Sequence, residues 1–358
     1  MNSRDRLCAA MDYAPRDRAP FKEFPWPTWP ETQERWAREA GYDPERTDFG
    51  CDRWVVEYSW FMPYPPFEKV ILAEDQQHLT YVDPQGIVLK EMKHNPVSSM
   101  PQFLRYPVET PEDFRKYWRE RMQPELGGRI GADWREQLGK HKNRDYPLVV
   151  IADRWGGFFG SLRNLTGVGR LCELFFDDPA LIEEMMDSVA DFLIAMLGSM
   201  LEATSIDVLG FWEDMAYRTS TLISPAMARK YMLSRYRRVI DFARSRGVRY
   251  FGLDSDGQID PLIPVWMDSG IDILYPFEVQ AGMDVLAVRR KFGKSLRIWG
   301  GIDKRVLALG RSAIDAELRR VAPLIEEGGY MPMLDHSVTP NVPYENYSYF
   351  MQELRKRL

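Results

Sequence analysis

Two carboxylates separated by one residue end a strongly apolar run in this chain. Asp254 and Asp256 follow Tyr250-Phe-Gly-Leu, and Gly257 comes directly after them. A buried strand that runs into a functional loop has this pattern. Other apolar runs end in the same way, at Asp153-Arg154, Glu213-Asp214, Asp303 and Asp335-His336. Carboxylates and an imidazole can bind metals or exchange protons, so these strand ends are the predicted site.

The order of elements explains how such distant residues could meet. From about residue 148 onward, strand-like runs alternate with amphipathic stretches that predict helices over 181–201, 224–246 and 312–327. This alternation predicts βαβ units with right-handed crossovers. We therefore predict an α/β fold, a (β/α)8 TIM barrel, because that architecture gathers the carboxyl ends of all its strands at one mouth.

The first part of the chain is less regular. Residues 18–24 are expected to form the first barrel strand, and 50–56 to lie near the second. Between them and residue 148 the chain is rich in proline and tryptophan, with a hairpin predicted around a turn at 83–86. We interpret residues 1–358 as a single domain with an irregular N-terminal elaboration over about 25–147.

Bulk composition excludes several classes of protein. The 358 residues are 45% hydrophobic and 28% charged, with a net charge of −6, which disfavours nucleic acid as the main partner. No apolar run approaches a membrane span, and the N-terminus lacks a signal-peptide apolar region. Three widely separated cysteines exclude a disulfide framework and a thiolate zinc knuckle. A cytoplasmic enzyme is expected.

Several motifs resemble the uroporphyrinogen decarboxylase superfamily, and the resemblance covers nearly the whole chain. They are the opening with Asp17-Arg18-Ala-Pro20, the pair Glu213-Asp214, the turn Gly300-Gly301-Ile-Asp303-Lys304, and the tail from Gly328-Gly329 through Asp335-His336 to Glu345-Asn346. The resemblance implies a TIM barrel. It also implies one of two activities, porphyrinogen decarboxylation or corrinoid-dependent methyl transfer.

Departures from the decarboxylase pattern favour methyl transfer. True decarboxylases carry an arginine-rich loop after the first strand, which grips the carboxylates of the substrate. This chain has Glu23-Phe-Pro-Trp-Pro-Thr-Trp-Pro there, and the next arginine is Arg35. The run 157–165 also lacks a tyrosine that decarboxylases place in the matching segment. A ring of carboxylates would repel a polyanionic substrate.

The resemblance also implies where a metal would bind. The methyltransferase branch binds zinc through His-x-Cys-Gly and a distant cysteine, and this pattern falls on Asp254-Ser-Asp256-Gly257 and on His336. Asp254, Asp256 and His336 are therefore candidate ligands for zinc or another divalent metal. Their harder oxygen donors would loosen the preference for zinc, and complete loss of the metal is equally permitted.

On this interpretation the protein moves a methyl group between a small methoxy or N-methyl substrate and a corrinoid on a partner protein, and it could form a homodimer. The candidate catalytic residues are His336, Asp254, Asp256, Glu213 and Asp214. The candidate substrate-binding residues are Glu23, Trp26, Asp153, Arg154, Trp155, Trp212, Glu278 and Asp303.

Alternative interpretations of these residues stay open. Asp254 and Asp256 could hold a turn, Glu213 and Asp214 could pair with an arginine, and Asp303 could form an internal ion pair. The aromatic residues could be ordinary packing. Two other functions also remain, a decarboxylase acting on a substrate other than uroporphyrinogen and a non-catalytic protein that binds a small ligand.

Overall fold

The computed structural model describes residues 1–25, 27–57, 60–95, 100–151 and 153–358. In chain order its strands are β1 (Val55–Glu57), β2 (Val70–Glu74), β3 (His78–Val82), β4 (Val88–Met92), β5 (Gln102–Arg105), β6 (Leu148–Ile151), β7 (Val208–Trp212), β8 (Tyr250–Asp254), β9 (Ile273–Tyr275), β10 (Arg297–Trp299) and β11 (Tyr330–Met331).

The α-helices are α1 (Ser3–Met11), α2 (Pro30–Ala40), α3 (Pro111–Arg121), α4 (Leu126–Ile130), α5 (Trp134–Gly139), α6 (Phe158–Thr166), α7 (Val168–Asp177), α8 (Pro179–Ala203), α9 (Pro225–Tyr231), α10 (Leu233–Ser245), α11 (Ile263–Ser269), α12 (Val285–Phe292), α13 (Val306–Leu309), α14 (Arg311–Glu327) and α15 (Tyr344–Lys356). None of the helices in the described ranges is long and apolar enough to cross a membrane.

Seven parallel strands form the main sheet, in the order β1-β6-β7-β8-β9-β10-β11. Helices connect the strands from β6 onward, as the alternation of apolar runs and amphipathic stretches predicted. The parallel α/β fold is therefore confirmed. Because all seven strands run in the same direction, the loops that follow them emerge on the same side of the sheet.

An eighth strand is not seen in the described part of the chain. Residues 18–24 were expected to be the first strand, but they form extended chain without regular pairing. Asp52 N donates to Phe21 O (2.7 Å), Val338 N donates to Pro27 O (2.8 Å), and Thr28 bridges to Val338 in parallel. Phe21 thus contacts the chain near β1, and Pro27 and Thr28 contact the chain beyond β11. Closure of the barrel by a regular eighth strand stays a prediction.

Two separate cores lie on the two faces of the main sheet. One combines inward residues such as Val149, Tyr250 and Ile273 with Leu7 and Met11 of α1. The larger core packs the other face of the strands against the helices. Strand alternation explains this division, since successive side chains point to opposite faces.

Most predicted helices keep their bounds, with one exception. The prediction over 181–201 corresponds to α8, and that over 312–327 to α14. The prediction over 224–246 begins correctly, because the Ser224 side chain accepts from Met227 N (3.2 Å), but the helix is interrupted at Met232. Met232 is fully buried, and no proline or glycine marks the break.

The N-terminal elaboration contains a small antiparallel sheet in the order β2-β3-β4-β5. The hairpin predicted around 83–86 is confirmed as β3 and β4, and Asp83 Oδ1 accepts from the backbone N–H groups of Gln85 and Ile87. That residues 1–358 form one domain stays a prediction.

Candidate functional site

Three side chains meet beside the carboxyl ends of the main sheet. Asp256 follows β8, Glu278 follows β9 and His336 lies beyond β11. One donor atom of each residue lies within 4.8 Å of the others, and His336 Nε2 is 3.4 Å from Asp256 Oδ2. The His336 and Asp256 side chains are 24% and 33% exposed, so a ligand can reach them. Asp256, Glu278 and His336 are called the triad below.

The loop after β8 is held tightly around two members of the triad. Gly257 N donates to Glu278 Oε2 (3.0 Å), and Asp256 N donates to Asp214 Oδ1 (3.2 Å). Gly257 has φ +85°, and a Cβ there would lie 2.7 Å from two backbone oxygens. Glycine is therefore required for this backbone to reach the Glu278 carboxylate.

Asp335 fixes the loops that carry the rest of the site. Its side chain is 1% exposed, Oδ1 accepts from Lys304 N (3.0 Å), and Oδ2 accepts from Val279 N (2.9 Å). These contacts join the loops after β9 and β10 to the segment that contains His336. Burial raises the pKa of Asp335. These hydrogen bonds indicate that Asp335 positions the neighbouring residues of the site.

His336 lies between aromatic rings and carboxylates. Its ring is 5.7 Å from Phe24 and stacks with Trp29 at 6.4 Å, both in the N-terminal part of the chain. Burial acts to lower the pKa of His336, but the hydrogen bond and charge of Asp256 outweigh it, and the pKa is raised. Burial, followed by the charge of Asp256, raises the pKa of Glu278. The cluster thus contains an imidazole that readily becomes imidazolium.

The structure changes the ligand set expected from the sequence. Asp254, an expected ligand, is buried at the last position of β8 and lies outside the group of mutually close donors in the described chain. Glu278, which we expected to bind substrate, is the third member of that group instead, together with Asp256 and His336. Asp254 still belongs to a strand, whereas Asp256 lies in the loop that turns toward Glu278.

Glu213 is deeply buried and binds the start of a helix. Its carboxylate accepts from Phe158 N and Gly160 N, both at 2.7 Å, and from the Tyr236 hydroxyl. The residue is 0% exposed, and a Cβ at Gly157 would lie 1.8 Å from Trp212 O. Glu213 therefore positions α6 against β7, and this geometry does not support the catalytic role expected for it.

The buried Glu213 carboxyl should make stability depend on pH. Burial raises its pKa from 4.5 to about 7, although its hydrogen bonds oppose the rise. Between these values the folded state holds a proton that the unfolded chain releases, so the free energy of unfolding should fall as the pH rises, by roughly 3 kcal/mol. Urea unfolding at pH 5 and pH 8 measures this difference.

Glu213→Gln provides the comparison, because glutamine cannot titrate. The pH dependence should shrink in this variant without vanishing, since burial also raises the pKa of Asp272 to about 6. An unchanged difference between pH 5 and pH 8 in the variant would show that Glu213 does not carry it.

Asp214 connects the triad to an arginine on α6. Arg163 Nη1 donates to Asp214 O (2.6 Å) and lies 3.6 Å from its carboxylate. Burial, followed by the charge of Asp256, raises the pKa of Asp214 to about 6. The guanidinium groups of Arg163 and Arg154 lie over Trp212, at 5.3 and 5.9 Å from the ring centre. Trp212 and these arginines form a cationic edge beside Asp214.

The other residues predicted to bind substrate make contacts with residues of the chain itself. Glu23 accepts from the Tyr347 hydroxyl (2.5 Å), Trp155 is buried and donates to Gln85 Oε1 (3.0 Å), and Asp303 forms a two-point ion pair with Arg305. Burial acts to raise the pKa of Asp303, but the Arg305 contacts lower it overall. Trp26 and the Asp153 side chain lie outside the described residues.

A cavity of about 360 Å³ opens within the curve of the main sheet. Its walls combine inward positions of several strands with the N-terminal segment: Lys22, Glu23, Phe24, Pro25, Pro27, Trp54, Val56, Val149, Ile151, Tyr275, Trp299, Met331 and Met333. Phe24 lines this cavity and also contacts His336, so the cavity adjoins the triad. Its volume suits a small, largely apolar molecule.

The donors of the triad fit a divalent metal. Imidazole nitrogen and carboxylate oxygen are both zinc donors, and catalytic zinc sites use three protein ligands with one position left open. The same donors also accept harder divalent ions. All three residues of the triad are partly exposed.

Comparison with known families identifies the chain. The family model described as Uroporphyrinogen decarboxylase (URO-D) matches residues 96–357, which is well over half of the sequence. A curated relative named Uroporphyrinogen decarboxylase, from Rhodococcus erythropolis (strain PR4 / NBRC 100887), is 28% identical over 177 residues. That alignment covers 47% of this chain and 46% of the relative, less than half the length of either.

A solved structure shares the fold over the full length. The structure described as a methyltransferase from Methanosarcina mazei covers 99% of both chains with a TM-score of 0.63 and 18% identity. At that identity the likeness shows a common fold. The match to the family model decides the relationship: the chain belongs to the uroporphyrinogen decarboxylase (URO-D) family.

Proposed function

We propose that the protein is a methyltransferase that moves a methyl group between a small methoxy or N-methyl compound and a corrinoid carried on a partner protein. The observation that supports this proposal is the triad, a metal-ligand set beside a largely apolar cavity at the carboxyl ends of the strands. A family that includes both decarboxylases and methyltransferases allows either activity, so the proposal depends on the chemistry of the site.

The triad would hold a divalent metal through His336, Asp256 and Glu278. When bound, such an ion supplies Lewis acidity at an oxygen or nitrogen whose bond to carbon is weakened. The protein keeps the three donors together through Asp335 and Gly257, which fix the loops on either side. The rings of Phe24 and Trp29 lie beside the imidazole of His336.

The chain's own residues would orient the substrate and move a proton. The cavity walls bind the apolar body of the substrate, which leaves its methyl group directed toward the open end where a partner protein can approach. Where no metal is bound, the raised pKa of His336 would allow its imidazolium to donate a proton to a departing oxygen or nitrogen, whereas a metal-bound His336 is neutral and leaves the stabilisation of the departing atom to the metal. Asp214, hydrogen-bonded to Asp256 N, holds the loop during that step.

The site is poorly suited to uroporphyrinogen. Lys22 and Glu23 are the charged residues that line the cavity in the described chain, so the walls offer a single cation. Binding several carboxylates requires several cations or hydrogen-bond donors, since buried anions must be paired. A decarboxylase acting on a smaller substrate remains the second candidate, in keeping with the name of the Rhodococcus relative.

The deciding experiment combines the purified protein with a reduced corrinoid protein and a panel of methoxylated and N-methylated compounds. Methylation of cobalt, followed by its absorbance spectrum, should occur with one class of compound. It should require both proteins. Release of carbon dioxide without the corrinoid protein would instead establish the decarboxylase, and inactivity over the whole panel with a partner known to be competent would contradict methyl transfer.

A further inference from the structure

The small antiparallel sheet of the N-terminal elaboration carries an exposed apolar surface. The three aliphatic residues at the start of β2 are consecutive and are 45%, 56% and 53% exposed. Single exposed residues of this kind are normal on a protein, whereas a group of them marks an interaction surface. Of the twelve large hydrophobic side chains that are exposed in the described ranges, six lie on strands of this sheet: Val70, Ile71, Leu72, Met92, Phe103 and Leu104.

Strand β2 lies at one edge of this sheet. The sheet has the order β2-β3-β4-β5, and among the described strands β2 pairs with β3 alone. Every residue of β2 is exposed, and no proline interrupts Val70–Glu74. The N–H and C=O groups along the outer side of such a strand are a template for pairing with a strand of another chain.

Two opposite charges lie on one face of β2. Lys69 Nζ lies 4.1 Å from the centre of the Tyr81 ring, and Tyr81 is paired with Ile71, whereas Glu74 is paired with Leu79. Leu79 and Tyr81 are two residues apart on β3, so their side chains and those of their partners point to one face. A register shift within β2 makes this possible, because residues an odd number apart in a regular strand point to opposite faces.

A second copy of β2, running antiparallel, complements the first. With Ile71 of one copy opposite Leu72 of the other, the exposed aliphatic side chains meet at the centre of the contact. Lys69 of each copy then lies opposite Glu74 of the other, so two ion pairs flank this centre. Glu74 also pairs with Lys93 of its own chain (2.5 Å), but 55% of its side chain is exposed, so a second cation can reach it.

The opposite edge of the sheet suits self-association less well. Strand β5 begins directly after Pro101, which has no N–H to donate. Pairing of β2 with β5 would also join copy after copy in an open chain, whereas pairing of β2 with itself stops at two copies.

We propose that two copies of this chain associate through antiparallel pairing of their β2 strands, which gives a dimer with one sheet that spans both copies. A strand of five residues buries less than the roughly 1,200 Å² of a standard interface, so the dissociation constant is about micromolar. None of the residues involved belongs to the triad or lines the cavity beside it, so this inference is independent of the proposed function.

Sedimentation velocity of the purified full chain over about 1–100 µM tests the proposal. The native protein should change from monomer to dimer across this range. Leu72→Lys should raise the dissociation constant about tenfold or more, because it places a charge in the apolar centre of the contact. Phe176→Lys is the matched control, because Phe176 is 76% exposed on α7. This control should change the dissociation constant by less than about twofold.

Charge reversal tests the register of the two strands. Lys69→Glu and Glu74→Lys should each weaken the dimer several-fold, because like charges then face one another across the two-fold axis. The double variant should associate more tightly than either single variant, because opposite charges face one another again. Melting temperatures of the monomeric variants should stay within about 3 °C of the native value, since the substituted side chains are exposed.

Three outcomes would each overturn the proposal. They are a native protein that stays monomeric over the whole concentration range, a Leu72→Lys variant that dimerises as the native protein does, and a double charge-reversal variant that associates no more tightly than the single ones.

Discussion

Glu278→Ala is expected to lose the bound metal, whereas Asp254→Ala is expected to keep it. Glu278 belongs to the set of donor atoms within 4.8 Å of one another, and Asp254 is buried at the end of β8 outside that set. Removing a residue that hydrogen-bonds to a metal ligand typically weakens metal binding about 10–100-fold. Removing a ligand itself should therefore lower the metal affinity by more than about a hundredfold. Elemental analysis after equilibration with zinc measures the difference.

His336→Ala extends the same prediction to catalysis. Loss of a metal ligand, or of a proton donor where the site holds no metal, should lower the rate of cobalt methylation by about a hundredfold to ten-thousandfold. Asp254→Ala is the matched control, since it removes a carboxylate at the end of β8, two residues before Asp256. If Asp254→Ala loses the metal and Glu278→Ala retains it, the set inferred from the sequence is right and the one inferred from the geometry is wrong.

The sequence predicted the architecture well because its signals are local. Apolar runs that stop at acidic residues marked β7, β8 and the segment before His336, and helix patterns marked α8 and α14 within a few residues. The conformation of residues 18–24 was harder to predict. Phe21 and, further along, Pro27 make backbone contacts with neighbouring chain as a strand would, but these contacts do not form a continuous ladder. No sequence pattern distinguishes a regular strand from an extended segment that makes only isolated backbone contacts.

The members of the site were predicted less well because side-chain directions depend on loop geometry. The resemblance to the methyltransferase motif placed both Asp254 and Asp256 in the expected ligand set. The chain instead leaves the strand after Asp254, with Gly257 at positive φ. Glu278 reaches the triad through Phe277, a non-glycine residue at φ +62°, and local sequence rules do not anticipate that conformation.

The role of Glu213 was missed for a related reason. An acidic pair after a strand is typical of an active site, and Asp214 does contact the loop of the triad. Glu213 instead binds the first amides of α6, because Gly157 allows the backbone of that helix to approach β7 very closely. Contacts between a strand end and a distant helix start depend on tertiary packing. The motif thus indicated an important residue without indicating its function.

Asp335→Ala is expected to destabilise the fold and disorganise the site together. The substitution leaves the part-buried N–H of Val279 and the buried N–H of Lys304 without acceptors, and a buried group of this kind costs about 1–3 kcal/mol, so the free energy of unfolding should fall by about 2–4 kcal/mol. Chemical denaturation measures this loss. Asp315→Ala is the control, because its partly exposed contacts with Arg357 and Tyr349 should contribute about 0–1 kcal/mol.

Metal content shows whether Asp335 also positions the site. Val279 is adjacent to Glu278, and His336 is adjacent to Asp335, so releasing the two loops should weaken zinc binding about 10–100-fold even though no donor of the triad is removed. Asp335→Asn keeps an acceptor for one of the two N–H groups and should lie between the native protein and Asp335→Ala in both measurements. If Asp335→Ala loses stability but binds zinc as the native protein does, the loops keep their geometry without this carboxylate, and Asp335 contributes to the fold alone.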